Sequence, residues 1–406
     1  MRNRRLRVRR CSRDATRGSW ARRVITSVIF PEDAGVFTEA LEEAGYDVAF
    51  TGKGWAPGNP GMKNGRRRQL TGEAWQNRKL TPPTSEMLAT DYAANFSDFL
   101  SSREDASRPW FFWFGCREPH RRYEYGSGAA KGGRTTGEID RVPAFWPDNE
   151  TVRNDMLDYG FEIEHYDRQL GLMLARLEEL GELDNTLVIV TSDNGMPFPR
   201  AKGTQYEYAH HMPLAMMWPQ GVNSPGRREA VYVSFVDIAP TILEIAGTDP
   251  SAAGMAPLPG GSLVPLLRNE PDPCAALRER ALLGRERHDN GRPGDQGYPT
   301  GGLYGAVGSI CATSNRGCCP AAIRKRATAT STVPRRKQPF CNCGAAGRIV
   351  VIMTCRWDSV RRRSCTMSKR TANASPTGSG TFHAGFWQIH CGPSFSGRCA
   401  GRAIRG

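Results

Sequence analysis

Polar residues follow short apolar runs at several points in this chain. Lys53 follows Tyr46–Thr51, His120 follows Trp110–Phe114, and Asp193-Asn194 follows Thr186–Thr191; Lys202 comes nine residues after Asp193 on a proline-rich stretch. An adjacent carboxylate and amide oxygen are hard ligands of the kind Ca²⁺ or Mg²⁺ takes. Lysines act as point charges toward sulfate or phosphate oxygens. A histidine beside them can move a proton or donate to the anion. Each has a plainer reading. Asp-Asn-Gly is ordinary turn chemistry, Lys53 alone is a solvated lysine, and His120 after Glu118-Pro119 is a loop residue. His165 and Asp167 fall inside a helical pattern and read as structural. Four polar signals in one alternating α/β segment favour a site.

The elements that must position these groups are legible as alternating periods. Val36–Ala44 has a helical apolar face and meets Gly45, where a C-terminal cap is expected. Strands are expected at 46–51, 110–114, 186–191, 214–218 and 231–235. Helices are expected at 88–102, at 154–180, where Tyr159, Ile163, Tyr166, Leu170, Met173 and Leu177 form a stripe, and at 236–246 before Gly247. This order implies an α/β fold: a mixed, mostly parallel sheet with helices on both faces. Ligands of such folds gather beyond the carboxyl ends of the strands.

The chain of 406 residues carries a formal charge of +14, which on its own suggests a polyanionic partner. The distribution argues otherwise. Residues 1–23 hold ten arginines against the single acid Asp14, and residues 301–406 hold seventeen Lys/Arg against Asp358, so the middle of the chain is acidic. Nine of the twelve cysteines lie beyond residue 300, at spacings such as Cys318-Cys319 and Cys341-Asn-Cys343 that do not suit a tetrahedral zinc site. No signal-peptide pattern and no membrane-spanning run is visible; location and oligomeric state are left open. Within 301–406 only Ile349–Met353 reads as a strand, and the composition of both ends is that of coding sequence read out of frame. The expected organisation is a basic, disordered segment at 1–23 and an α/β domain at 24–270. A smaller subdomain begins at 271–300, and a basic, Cys-rich, unstructured tail occupies 301–406.

The stretch "TLVIVTSDNGMPFPRAKGTQYEYAHHMPLAMMWP" resembles the sulfatases of the alkaline phosphatase superfamily, nearest the heparan N-sulfatase-like branch. "PWFFWFGCREPHRRYE" is similar to that family's strand and Pro-His, and "LEEAGYDVAFTGKGW" to its helix–strand–Gly-Lys unit. "SFVDIAPTILEIAG" resembles the segment closing the main domain, and "LLGRERHDNGRPGDQGYPT" the start of the smaller C-terminal part. The resemblance spans about 28–300. It implies that Asp193 and Asn194 ligate a divalent cation, usually Ca²⁺, and that Lys53, His120 and Lys202 contact the sulfate. His120 or Lys202 would protonate the leaving oxygen, and His288 would touch the substrate, a sulfated small molecule or glycan.

The family's nucleophile is a formylglycine made within Cys-x-Pro-Ser-Arg, and that motif is absent from the chain. The nearest candidate, Cys11-Ser12-Arg13-Asp14, lacks the proline and the arginine spacing. The family's first strand, which carries an Asp-Asp pair, is missing too, leaving a sheet expected to expose an edge. Trp55 stands where the family usually has a second histidine. These departures imply little or no sulfatase activity. Two further readings stay open: phosphodiester or phosphonate hydrolysis within the same superfamily, and a non-catalytic, basic nucleic-acid binder, for which only the Arg-rich ends argue.

Overall fold

In the computed structural model, the residues described are 29–55, 59–251, 254–285, 300–305, 308–313, 348–353 and 387–389. Cys11 and His288 lie outside them. The chain enters helix α1 (Phe37–Glu43) and strand β1 (Asp47–Gly52), then a hairpin of β2 (Met62–Lys63) and β3 (Arg66–Arg67), and β4 (Glu73–Ala74). Helix α2 (Tyr92–Ser102) leads to β5 (Trp110–Gly115), followed by the short α3 (Ser127–Ala130) and the long α4 (Glu150–Glu179). β6 (Thr186–Thr191), α5 (Glu207–His210), β7 (Leu214–Met217), β8 (Arg228–Glu229), α6 (Ile238–Ala246) and α7 (Val264–Arg268) complete the main layers. The remaining strands are β9 (Arg280–Arg285), β10 (Thr300–Gly305), β11 (Gly308–Thr313), β12 (Arg348–Met353) and β13 (Trp387–Ile389).

The main sheet has the order β4-β1-β5-β12-β6-β7-β13-β8. From β4 to β6 every pairing is parallel, and β7 runs antiparallel to β6. β9, β10 and β11 form a separate antiparallel sheet. The expected α/β class, a mixed and mostly parallel sheet, is therefore what the chain adopts.

Helices cover both faces, which is why β5 and β6 are apolar at nearly every position. Phe111, Leu187 and Ile189 pack with Leu41 of α1 and Ile242 of α6, while Phe112, Phe114 and Val188 pack with Phe96 of α2 and Leu170 and Met173 of α4. Each of these fully buried aromatic side chains contributes about 1.5–3 kcal/mol relative to exposure. Helix starts are fixed by side chains: Asp91 accepts from Ala94 N at 3.0 Å and Asn149 from Val152 N at 3.0 Å.

Two expectations change. Residues 231–235 are not a strand. Ser234 N donates to the Asp237 carboxylate at 2.8 Å, and Phe235–Asp237 close into a 3₁₀ turn ahead of α6. The sheet also does not open at a missing strand, because β12 sits between β5 and β6 and pairs in parallel with both. Among the described residues no helix is long and apolar enough to cross a membrane.

Candidate active site

Because β1, β5, β12 and β6 are parallel, their carboxyl ends share one edge, and the residues singled out in the sequence follow three of those ends. β1 and β5 run in register to Gly52 opposite Gly115. Beyond that pair the two backbones close in: Lys53 N donates to Gly115 O at 2.6 Å, and Trp113 Nε1 donates to Lys53 O at 3.1 Å. A Cβ on Gly115 would stand 1.9 Å from Lys53 O, so only glycine permits the approach. The turn leaves the Lys53 side chain exposed.

His120 lies five residues past the end of β5, on a turn in which its own N–H donates to Arg117 O at 2.9 Å. Its ring Nδ1 lies 2.7 Å from the Arg121 carbonyl oxygen. A carbonyl only accepts, so this contact puts a proton on Nδ1 and leaves Nε2 to act toward a ligand.

Asp193 and Asn194 follow β6. Ser192 Oγ donates to Asn194 O at 2.7 Å, and Gly195 N donates to Ala209 O at 3.1 Å, which pins the turn against α5. Asp193 is exposed, whereas Asn194 Oδ1 is buried and has no hydrogen-bond partner. An orphaned buried carbonyl oxygen beside a carboxylate suits a hard cation in kind. It does not suit one in number: among the described residues no group of three or more His, Cys, Asp or Glu could hold a metal ion.

Lys202 is half-buried at the end of a clamped loop. Its N–H donates to Met196 O at 3.1 Å. Phe198 stacks on Trp146 at 5.1 Å between centroids and meets Tyr159 of α4 edge-on at 5.6 Å, while Trp146 Nε1 donates to Pro199 O at 2.8 Å. Arg121 joins this loop to the turn of His120, donating from Nε to Pro197 O at 3.0 Å and pairing with Asp155. The structure thus brings the turns of Lys53, His120, Asp193-Asn194 and Lys202 to one edge.

Sequence reading passed over the layer beneath. Glu118, buried, accepts from Leu88 N and Tyr92 Oη, both at 2.7 Å, and from Cys116 Sγ at 3.0 Å. Burial and the neighbouring Glu118 push the Cys116 thiol well up, so it stays protonated and is no nucleophile. Glu162 of α4 is buried, and desolvation, followed by the charge of Glu118, raises it to about 8. Its position on the buried stripe of α4, between Tyr159 and Tyr166, was the available signal. On the other side of Asp193, a cavity opens between the main sheet and the small sheet, walled by residues of five separate segments.

A mostly parallel sheet with lysines, a histidine and a carboxylate–amide pair beyond its carboxyl ends defines an α/β protein whose polar edge lies where ligands of such folds gather. Residues 30–248 match the sequence model of the Sulfatase family, and the chain belongs to that family. It is 32% identical over 197 residues to the human N-sulphoglucosamine sulphohydrolase, covering 43% of this chain and 39% of that protein. It is 27% identical over 262 residues to an N-acetylglucosamine-6-O-sulfatase of Bacteroides thetaiotaomicron, covering 64% of this chain and 40% of that protein. The chain thus spans about two fifths of the length of these curated relatives. A solved structure described under glycosaminoglycan metabolism by Bacteroides thetaiotaomicron shares the fold, with a TM-score of 0.53 and 19% identity over 70% of this chain and 68% of that one.

Proposed function

We propose that the chain binds the sulfate group of a sulfate ester or sulfamate at the edge formed by Lys53, His120 and Lys202, and that it turns such substrates over slowly if at all. The observation that carries this is the convergence of four turns on one strand edge, with Arg121 tying the Lys202 loop to the His120 turn. Lysines at an exposed edge attract the anion; as water adds to sulfur and the ester sulfur–oxygen bond breaks, His120 or Lys202 protonates the departing oxygen, so that sulfate and the free alcohol are released. A divalent cation such as Ca²⁺, when bound, supplies positive charge to the sulfate oxygens, with Asp193 and Asn194 offering the hard ligands. A single carboxylate and one amide hold it weakly. The residues given carry no Cys-x-Pro-Ser-Arg, and Cys116, buried and protonated, supplies no nucleophile. Sulfated glycans are a candidate substrate class because the two relatives described above are named for sulfated glucosamines.

The test is paired. Inorganic sulfate should bind by titration calorimetry and bind at least about tenfold more weakly in Lys202→Ala, as expected for one hydrogen bond to a charged group. Hydrolysis of a chromogenic aryl sulfate should stay near the uncatalysed background. A clear rate that Lys202→Ala and Asp193→Ala both abolish would show that the chain is an active sulfatase. Faster turnover of a bis-aryl phosphate would move the chemistry to phosphodiesters.

A further inference from the structure

We propose that the β2–β3 hairpin is a docking surface for a polyanionic glycan, holding sulfate groups of the polymer other than the one bound at the edge of Lys53 and Lys202. The choice of a sulfated glycan rests on the sulfate reading above. The hairpin turns at Asn64 and Gly65, whose φ angles of 53° and 73° give the two-residue turn that suits right-twisted strands. Lys63 then stands directly opposite Arg66, and Met62 opposite Arg67. A concavity of about 440 Å³ is lined by Glu39, Lys63, Asn64, Arg66, Arg67 and Arg68.

Three observations point to an anionic partner. The first is that three consecutive arginines are used differently. Arg68 is buried and fixed: Nε and Nη2 donate to the Glu39 carboxylate at 2.9 and 2.6 Å, and Nη1 and Nη2 donate to Pro31 O and Ala34 O at 2.6 and 2.8 Å. Its backbone N–H closes the hairpin on Gly61 O at 3.1 Å. Arg66 and Arg67 are exposed and form no ion pair among the described residues. The hairpin is thus held at its root while its outer cations face solvent. The second observation is the opposition of Lys63 and Arg66. Like charges at facing strand positions destabilise a hairpin, and an anion between them removes that cost. Lys63 Nζ lies 3.5 Å from a Glu39 that Arg68 already engages, and Glu42 acts on Lys63 without pairing with it. Four cations therefore stand against two carboxylates. The third observation is a run of contacts from the hairpin root to the turn of Lys53. Trp55 meets Phe30 edge-on at 5.2 Å, and the Arg68 guanidinium lies over the Phe30 ring at 5.0 Å.

Exposed cations hold a single anion weakly. Linked anions gain because the second contact forms at high effective concentration, so the surface suits a polymer. The hairpin carries no aromatic side chain on which bases could stack, which favours a glycan over single-stranded nucleic acid.

The probes are heparin, neutral dextran, a single-stranded oligodeoxynucleotide and inorganic sulfate, titrated into the full chain. Arg66→Thr combined with Arg67→Thr should weaken heparin at least about tenfold, as expected for lost hydrogen bonds from charged groups. A control removing the same charge from the basic N-terminal segment, Arg9→Thr with Arg10→Thr, should weaken heparin less than about threefold, because screened, diffuse charge contributes little. Dextran should not bind, and the hairpin variant should leave inorganic sulfate binding unchanged. Its Tm should hold or rise, since the opposition of Lys63 and Arg66 is relieved. Equal losses of heparin in the two double variants would overturn the proposal. So would a Tm that falls with the loss of heparin, which would make the arginines structural, or an oligonucleotide that outbinds heparin at the hairpin. If Lys202→Ala leaves inorganic sulfate binding intact while the hairpin variant still loses heparin, the sulfate reading of the edge fails and the hairpin surface stands.

Discussion

Glu118 and His120 stand two residues apart, yet the first is 2% exposed and the second is open to solvent. The difference runs through the whole carboxyl edge of the main sheet. In front, Lys53, His120 and Asp193 present charge or protons on turns fixed by backbone contacts. Behind, Glu118, Glu162, His165, Tyr92 and Cys116 are buried beneath those turns. Burial raises Glu162, Tyr92 and Cys116 and lowers His165, so each of these four is held toward its neutral form. The front layer is open to the ligand proposed above, and the back layer holds the strand end that leads to His120. Substitutions in front should therefore change binding and spare stability, and substitutions behind should do the reverse.

The largest effect should come from Glu118→Ala. It removes the acceptor for Leu88 N, Tyr92 Oη and Cys116 Sγ together and leaves buried donors unsatisfied. The expected cost is about 3–5 kcal/mol in urea unfolding. His120→Ala should stay within about 0.5 kcal/mol of the parent. Equal costs for the two would erase the distinction between the layers.

Glu162→Gln tests the same boundary through pH. The folded chain keeps the Glu162 proton up to about 8, while the unfolded carboxyl releases it near 4.5. Between those values the folded state binds more protons, so stability falls as pH rises and levels off above about 8. His165 is pushed below its ordinary 6.5, and its effect is confined to acid pH, where the unfolded ring takes up a proton first. From pH 7 to 8 the parent should therefore lose on the order of 1 kcal/mol to Glu162 alone, the limit for one proton over one pH unit. Glu162→Gln should flatten that slope. An unchanged slope in the variant would mean that Glu162 is already ionised at pH 7 and that burial does not hold it neutral.

How much of this was legible depended on the range of the interactions involved. β6 appears in the sequence with its ends in place, because a run of buried residues between Asp184-Asn185 and Asp193-Asn194 is bounded by local turn chemistry. Helix α4 starts at Glu150, a few residues earlier than its apolar stripe, because Asn149 caps it. The error at 231–235 was also local: a strand-like alternation was outweighed by the Asp237 carboxylate drawing Ser234 into a turn. By contrast, the strand at 348–353 could be seen, but its place between β5 and β6 could not, since parallel partners so distant in sequence leave no local trace. Of the residues singled out at the edge, Lys53 and Asp193-Asn194 follow β1 and β6 closely, whereas His120 and Lys202 are carried on longer turns. The cavity was not found, because its walls come from five segments brought together only by folding.

The smallest effect should belong to Lys53→Ala, and it sharpens the comparison from the front. Lys53 is exposed, and the contacts that shape its turn use its backbone N–H and carbonyl, which alanine retains. Stability should change by no more than about 0.5 kcal/mol. Binding of inorganic sulfate should weaken by about three- to tenfold at low ionic strength, because an exposed lysine acts on the anion through a screened charge. In 0.5 M sodium chloride, where the screening length falls to about 4–5 Å, the gap between parent and variant should nearly close. The half-buried Lys202 is screened less, and its alanine variant should keep most of its deficit in the same salt. If both lysines lose their effect in salt to the same degree, the clamped loop that carries Lys202 confers no advantage over an open turn, and the edge acts as a diffuse positive surface.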